Sequence, residues 1–159
     1  MSNQLTDKVK FVQKVALIHE DKVLILKRSN DSQSRPGAWD LPGGNTEWPD
    51  LTQPTGNSHT ADIVREVEEE TGLKINPEKF NDQSLVLFYT FFEPDIQRYS
   101  FNCGWRVLLS NDFDPNSIVI SNEHTDQVWI SLTELDQYDF GEPIGTYIKT
   151  IIRNALQRK

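Results

Sequence analysis

Four glutamates and one arginine occur among the first six positions of REVEEETGL, the segment from Arg65 to Leu73. If this segment is helical, Glu66, Glu69 and Glu70 lie at i, i+3 and i+4, so their carboxylates converge on one side of the helix. Like charges at these spacings destabilise a helix unless something neutralises them. Mg²⁺ does so well, because it prefers oxygen ligands and is commonly shared between protein carboxylates and substrate phosphates. The alternative is a solvated acidic face, which is the usual role of a charge run.

The residues around this segment predict a helix over Ser58 to Thr71. Ser58 is a suitable N-cap, Gly72 is a suitable C′ residue, and no proline interrupts the stretch between them. Ile63 and Val67 share one face of this helix and can pack against a sheet. The predicted helix is therefore amphipathic, with an apolar face and an acidic face.

Apolar, β-branched and aromatic runs predict the strands. They are Lys8 to His19, Val23 to Leu26, Ser84 to Glu93, Arg98 to Leu109 and Val128 to Leu132, with a very short strand entering a tight turn at WDLPGG (Trp39 to Gly44). Short polar breaks separate the first two strands and the next two, so each of these pairs is predicted to form a hairpin.

A second helix is predicted near the end of the chain. Apolar residues recur there with helical spacing at 144, 147, 148, 151, 152 and 155, and Pro143 falls in the first turn. The stretch from Asn45 to Asn57 is predicted to be a long loop. Because the elements lack the regular βα alternation of a doubly wound sheet, we predict an α+β fold, a mixed sheet flanked by helices in an αβα sandwich. It is predicted to be a single domain over residues 1–159, with its core over about 8–155.

Charge and composition restrict the possible partners and location. The chain has 159 residues and a formal charge of −8, which disfavours binding to a nucleic acid polymer or to an anionic membrane. No apolar run approaches the roughly 20 residues that span a bilayer, and the first residues lack the apolar stretch of a signal peptide. The single cysteine excludes an internal disulfide. We therefore expect a cytoplasmic protein.

The segments PGAWDLPGG (Pro36 to Gly44) and REVEEETGL resemble the signature of the Nudix hydrolases. That signature is G-x5-E-x7-R-E-U-x-E-E-x-G-U, where U is a bulky aliphatic residue, and its second half matches at all seven specified positions. The resemblance implies the Nudix, or MutT-like, fold and hydrolysis of a pyrophosphate bond in a nucleoside diphosphate linked to another moiety. It also implies Mg²⁺ or Mn²⁺ as the cofactor, a small nucleotide-like diphosphate as the partner, and a possible homodimer.

The resemblance also implies roles for individual residues. Glu66 is the expected general base, and Arg65 is expected to orient a glutamate by pairing with it, because an arginine stays protonated at neutral pH. The loop before the last strand is expected to supply a further carboxylate from Glu123, with His124 and Asp126 as alternatives. The expected catalytic residues are Glu66, Glu69, Glu70 and Arg65, and the expected metal ligands are Glu66, Glu69, Glu70, the carbonyl of Gly43 or Gly44, and Glu123.

The first half of the signature is not matched. Eight residues before Arg65 the signature requires glutamate, but this chain has Asn57, after a loop about seven residues longer than the signature specifies. In one explanation Asn57 keeps an orienting role through hydrogen bonds. In a second, Asp62, Glu47 or Asp50 supplies the missing carboxylate. In a third, the domain is a regulatory module that binds a nucleotide without hydrolysing it.

Residues near the glycine turn are candidates for substrate binding. Arg28 and Arg35 flank the loop before the turn and can reach a phosphate, whereas Glu47 and Trp48 follow the turn, where Trp48 could act as a lid. Aromatic residues of the second hairpin could stack on a base. No further motif distinguishes a nucleoside triphosphate, ADP-ribose, a nucleotide sugar or a dinucleoside polyphosphate. An isoprenoid diphosphate isomerase on the same fold is less favoured, because Cys103 has no evident catalytic partner.

Overall fold

The structure, a computed structural model, describes residues 9–159 of the chain. These residues form seven strands and two α-helices. The strands are β1 (Val9–His19), β2 (Lys22–Arg28), β3 (Trp39–Asp40), β4 (Gly43–Asn45), β5 (Leu85–Glu93), β6 (Arg98–Leu108) and β7 (His124–Ile130), and the α-helices are α1 (His59–Thr71) and α2 (Thr146–Gln157). Short 3₁₀ helices span Pro77–Lys79, Pro94–Ile96, Pro115–Ser117 and Leu132–Gln137.

The strands form one mixed sheet. Its main path is β3-β2-β1-β6-β5, while β4 pairs with β1 and β7 pairs with β2. The β1–β2 hairpin closes through Glu20 and Asp21, whose φ angles of 47° and 59° are the left-handed values of a type I′ turn. The β5–β6 pair is also antiparallel, whereas β1 and β6 run parallel. Both predicted hairpins and the predicted mixed sheet are confirmed.

One helix covers each face of the sheet. Side chains alternate along β1, so Ala16 and Ile18 pack in the core with α2, whereas Val15 and Leu17 pack in the core with α1. The apolar face predicted for α1 is buried in this second core. The layers are therefore helix, sheet and helix, as expected of an αβα sandwich.

Helix α2 begins later than the sequence pattern predicted. Its first residue is Thr146, so Pro143 and Ile144 precede the helix, and Ile144 is exposed. The chain turns here instead, with the N–H of Gly145 donating to the carbonyl oxygen of Gly141 at 3.0 Å. The remaining apolar positions of the pattern, 147, 148, 151, 152 and 155, are all buried.

The starts of strands β7 and β1 were predicted at Val128 and Lys8. Strand β7 begins at His124 rather than Val128, because its first residues pair with the end of β2. The predicted start of the first strand at Lys8 lies outside the described residues.

In the part of the chain that the structure covers, no helix has the length and apolar character needed to cross a bilayer.

Candidate active site

A cleft of about 360 Å³ lies where β4 and α1 meet the parallel strands β1 and β6. Glu66 and Glu70 of α1 line one end of it, together with Gly43 and Gly44. We call these four residues the acidic end. The charged side chains that line the cleft are Lys10, Lys14, Arg28, Arg35, Glu47, Glu66, Glu70, Glu93, Arg98 and Glu123.

Helix α1 is held beside the cleft at its start and is capped at its end. The buried side chain of Gln13 in β1 donates to the carbonyl oxygen of His59 at 3.0 Å and to Oγ1 of Thr46 at 2.9 Å. At the other end, Gly72 has a φ of 76° and donates its N–H to the carbonyl oxygen of Glu68 at 2.8 Å. This is the C′ role that the sequence predicted for Gly72.

Glu70 projects from α1 into the acidic end and is buried. Its Oε2 accepts a hydrogen bond from the N–H of Gly43 at 2.8 Å. Burial raises the pKa of the Glu70 carboxyl to about 8, although the positive charge of Lys14 and the bond from Gly43 act in the opposite direction. A cation placed at this carboxylate would therefore offset the cost of its burial.

Gly43 has a conformation that suits glycine. Its φ of 137° is rarely adopted by other residues, and a Cβ there would overlap the carbonyl oxygen of Gln13. The Gly43 carbonyl oxygen accepts a hydrogen bond from Nζ of Lys14 at 3.3 Å. The turn thus directs its N–H to Glu70 and its carbonyl to Lys14, which fixes both groups at the edge of the cleft.

Glu66 lies one helical turn before Glu70 and also lines the cleft. Its carboxylate packs on Gly44, where an added Cβ would lie 2.7 Å from Oε2 of Glu66. Burial raises the pKa of the Glu66 carboxyl, against the positive charge of Arg65, whose Nη2 lies 3.0 Å from Oε1. A raised pKa makes this carboxylate a better proton acceptor.

Gly44→Ala is expected to lower the hydrolysis rate with little loss of stability. The nearest atoms to the added methyl group all belong to the end of the flexible Glu66 side chain, which must move. Displacing a reacting group by about 1 Å can lower a rate about 10²-fold. The measurements are kcat and urea unfolding. Gly56→Ala is the matched control, since a Cβ at Gly56 meets no atom within 4 Å. A Gly44→Ala rate equal to that of the wild type would contradict this role of Glu66.

Arg65 holds other carboxylates on the solvent side of α1. Its Nη1 lies 3.1 Å from Oε2 of Glu69, and its Nη2 lies 3.4 Å from Oδ1 of Asp62. Glu69 is exposed and lies outside the cleft lining, so the structure brings together Glu66 and Glu70 but not all three expected carboxylates. Residue 69 lies about 60° from residue 66 around the helix axis. In that position the carboxylate of Glu69 is neutralised by Arg65.

The acidic end fits a hard cation in the chemistry of its donors. Among residues 9–159, no three His, Cys, Asp or Glu side chains are grouped closely enough to hold a metal ion. However, the carboxylates of Glu66 and Glu70 and the carbonyl of Gly43 are oxygen donors of the type that Mg²⁺ prefers. Both carboxyls have raised pKa values, so both would be stabilised by added positive charge. Glu69 could bind the same cation only if its ion pair with Arg65 were broken.

A buried cluster of ion pairs borders the acidic end. Asp40 has no exposed surface, and its Oδ2 lies 3.0 Å from Nζ of Lys14, 2.9 Å from Nη1 of Arg28 and 2.6 Å from Nη2 of Arg35. Oδ1 of Asp40 accepts the N–H of Leu41 at 2.8 Å. Although burial disfavours the charge, the three cations hold the pKa of Asp40 well below its ordinary value. The cluster therefore anchors these cations beside the cleft.

The sequence predicted Arg28 and Arg35 as phosphate ligands but missed Lys14 and Asp40. The signal that could have identified Lys14 was its position in β1. Lys14 lies on the same side of the strand as Ala16, the side that packs against α2, and an apolar residue is expected there. A charge at such a position indicates a buried partner. Arg35 is 7 % exposed, whereas Arg28 is 22 % exposed and its Nη2 makes no hydrogen bond among residues 9–159. Arg28 is thus the more accessible of the two.

The predicted loop residues occupy different surroundings. Glu47 and Glu123 line the cleft, whereas Trp48 is 98 % exposed and lies outside the lining. His124, the alternative to Glu123, is buried at the start of β7. Burial lowers the pKa of the His124 imidazole to about 4, so it is neutral at pH 7. Of these residues, Glu47 and Glu123 are the ones placed to meet a ligand in the cleft.

The start of α1 holds the residue that departs from the family signature. Asn57 is exposed outside the cleft lining, with a φ of 54°, and its carbonyl oxygen accepts hydrogen bonds from the N–H and Oγ1 of Thr60. Ser58 takes the N-cap position, but its side chain makes no capping hydrogen bond. Asp62 and Asp50, two proposed substitutes for the missing glutamate, also lie outside the lining.

The raised pKa of Glu70 predicts that the metal-free protein loses stability as pH rises. A carboxyl with a folded pKa near 8 binds its proton more tightly in the folded state than in the unfolded state, where the pKa is about 4.3. The stabilisation of the folded state by this bound proton is complete below the unfolded pKa and is lost as the pH rises toward 8. Glu70→Gln mimics the protonated carboxyl and should remove this loss, so the variant should be more stable than the wild type above about pH 8.

Urea unfolding at several pH values, without divalent metal, measures this effect. Glu68→Gln is the control, because Glu68 is exposed on the same helix. If the free energy of unfolding of the Glu70→Gln variant followed pH as in the wild type, the raised pKa would be wrong.

Comparison with known proteins agrees with this fold and signature. The sequence profile of the NUDIX domain matches residues 12–149. No curated protein sequence shows significant similarity to the chain. Among solved structures, a MutT protein from Methanosarcina mazei Go1 superimposes with a TM-score of 0.66 at 21% identity, covering 95% of this chain and 96% of that one. A MutT NUDIX hydrolase from Burkholderia pseudomallei gives a TM-score of 0.65 at 16% identity, covering 93% and 98%.

A third similar structure carries ligands. It is a bifunctional NMN adenylyltransferase/ADP ribose pyrophosphatase from Francisella tularensis, complexed with AMP and a manganese ion. It superimposes with a TM-score of 0.53 at 20% identity, over 94% of this chain and 38% of that one. The mixed sheet between two helices is therefore the architecture of a MutT-like α+β domain. The profile match covers most of the chain, which thus belongs to the Nudix family.

Proposed function

We propose that this protein hydrolyses a pyrophosphate bond in a nucleoside diphosphate linked to another moiety, with Mg²⁺ or Mn²⁺ as its cofactor. The observation that carries the proposal is the position of Glu66 and Glu70, two glutamates of the family signature, in one cleft beside the Gly43–Gly44 turn. The same cleft contains Arg28, a partly exposed cation suited to a phosphate. Family membership supports the reaction class.

The reaction requires charge neutralisation and an activated water. Water attacks one phosphorus atom, the bridging P–O bond breaks, and two phosphorylated products leave. When bound, the divalent cation would neutralise phosphate oxygens and make water more acidic. Glu70 and the Gly43 carbonyl would hold the cation, and Glu69 would join them only after its ion pair with Arg65 is broken. Glu66, made more basic by burial, would accept the proton of the attacking water, and Nη2 of Arg28 would donate to a phosphate oxygen.

The Francisella protein supports the chemical class of the substrate and cofactor. That protein is described as an ADP ribose pyrophosphatase, and its structure holds AMP and manganese. This chain spans 38% of it, at low identity, so the match favours a nucleotide diphosphate and a divalent cation in general.

A hydrolysis screen tests the proposal. Nucleoside triphosphates, ADP-ribose, nucleotide sugars and dinucleoside polyphosphates are each incubated with the protein and Mg²⁺ or Mn²⁺. We expect turnover of at least one class, its loss on addition of a chelator, and recovery when metal is restored. Turnover that resists chelation would contradict the metal requirement. Absence of turnover in every class would contradict the proposed reaction.

A second candidate function is nucleotide binding without hydrolysis. It is favoured by Asn57, which replaces the first signature glutamate and lies outside the cleft lining, and by Glu69, which is paired with Arg65. Calorimetric titration with the nucleotides of the screen distinguishes the two functions. Binding of a nucleotide that is never hydrolysed, with any metal, would favour this regulatory role over catalysis.

A further inference from the structure

Three polar residues lie in the cleft away from the acidic end and have no role in the proposed hydrolysis. Lys10 of β1 is the register partner of Ser100 in β6, and Arg98 precedes Ser100 by two residues on the same face of β6. All three line the cleft. We call Lys10, Arg98 and Ser100 the basic end.

The basic end has hydrogen-bond donors that the described chain leaves unused. Arg98 donates through Nε to Oε2 of Glu93 at 2.7 Å, and its two Nη groups bond to nothing within residues 9–159. The ammonium of Lys10 and the hydroxyl of Ser100 likewise have no hydrogen-bond partner in that range. The other cations that line the cleft are all bound to Asp40.

The charges at the basic end favour an anion. Two cations face one carboxylate, that of Glu93, which leaves one positive charge in excess. Burial lowers the pKa of Lys10, and repulsion by Arg98 adds to this, so a nearby negative charge would stabilise the ammonium. The planar guanidinium of Arg98 can bind a carboxylate or a phosphate with two parallel hydrogen bonds.

We propose that the basic end binds an acidic group, a phosphate or a carboxylate, on the moiety attached to the nucleoside diphosphate. Lys10 and Lys14 are four residues apart on β1, about 13 Å at 3.3 Å per residue. Under the proposed function the pyrophosphate would lie at the acidic end, beside Gly43 and Glu70, so the acidic group bound at the basic end would be a separate one. Anion binding by the basic end stands alone, whereas its assignment to a substrate moiety rests on the proposed function.

Titration of the full chain with inorganic phosphate and, separately, with acetate tests anion binding. Amide shifts are followed by ¹⁵N NMR at constant ionic strength without divalent metal. We expect saturable shifts centred on residues 98–102, weakened about tenfold in Lys10→Gln and in Arg98→Gln, since each removes charge-assisted hydrogen bonds. Lys74→Gln and Arg153→Gln are matched controls on exposed residues outside the cleft.

The two anions separate the possible sources of the acidic group. A response to phosphate alone assigns a phosphoryl group, and a response to both assigns acidic groups in general. Absence of saturable shifts at 98–102, or shifts equal in wild type and both cleft variants, overturns the inference. Dispersed spectra of the variants verify their folding.

Hydrolysis of paired substrates tests the assignment to the substrate. UDP-glucuronate and UDP-glucose differ by one carboxylate, and the ratio of their kcat/KM values should fall about tenfold in Lys10→Gln. A ratio that is unchanged would overturn the substrate assignment. Hydrolysis without anion binding would overturn this inference and leave the proposed function intact. Anion binding without any hydrolysis would overturn the proposed function and the assignment to a substrate moiety, and would leave anion binding by the basic end intact.

Discussion

Glu70→Gln is expected to lower kcat for pyrophosphate hydrolysis by about 10³-fold. Glu70 is buried at the acidic end and is held by the N–H of Gly43. Its carboxylate therefore has a fixed position in which it can bind a divalent cation. Metal stabilisation of transition-state charge is worth several kcal/mol, and each 1.36 kcal/mol is about tenfold in rate. Glutamine keeps the shape and can accept the same hydrogen bond but lacks the charge. Steady-state kinetics with saturating Mg²⁺ measures the effect.

Glu68→Gln is the control for this variant. Glu68 lies on the same helix but is exposed, so its substitution should change kcat less than about twofold. The Glu70→Gln variant should also be folded and, in the absence of metal, more stable than the wild type at alkaline pH. A rate within tenfold of the wild type would exclude Glu70 from the catalytic site. A loss of stability at alkaline pH would show instead that the carboxylate is structural.

Asp40→Asn is expected to destabilise the protein by about 3–5 kcal/mol, the cost of removing one member of a buried ion pair. Asp40 has no exposed surface and is the shared partner of Lys14, Arg28 and Arg35, so the variant leaves three cations close together without their counter-ion. The free energy of unfolding in urea near neutral pH measures the effect. Because its pKa is depressed in the folded state, Asp40 contributes this stability above its unfolded pKa of about 3.9 and loses it as the pH falls through the folded value.

Two further variants make this prediction specific. Asp82→Asn removes an exposed carboxylate and should change the free energy of unfolding by less than about 0.5 kcal/mol. Lys14→Met added to Asp40→Asn should recover part of the lost stability, because one uncompensated cation is removed. Equal stabilities of the Asp40→Asn and Asp82→Asn variants would contradict the ion-pair cluster.

Helix α1 could be predicted from the sequence because the residues that define it are close together in the chain. The termination at Gly72 and the buried Ile63 and Val67 follow from backbone geometry over neighbouring residues, and the structure has all three as predicted. The first residue of α2 could not be predicted in this way. Ile144 continues the helical spacing of α2, yet it precedes the helix because residues 141–145 form a turn.

The direction of individual side chains depended on their partners. Periodicity alone placed Glu69 with Glu66, but an ion pair with Arg65 holds Glu69 on the exposed side of α1. Asn57 was identified by counting residues from the signature, whereas its position outside the cleft depended on the path of the long loop. Spacing along a helix limits where a carboxylate can lie, and the competing charges around it select the position.

The sequence by itself determined the family and the two-helix mixed-sheet architecture. It also identified Glu66 and Glu70, which lie beside the glycine turn, but grouped Glu69 with them. These follow from short periodic patterns and from a motif whose residues are close together in the chain. Only the tertiary structure decided the Asp40 cluster and the basic end of the cleft. The first joins Lys14 to Asp40 through a buried contact, and the second joins Lys10 to Ser100 through the parallel pairing of β1 with β6. Contacts across so many intervening residues depend on strand order and register, which no local pattern specifies.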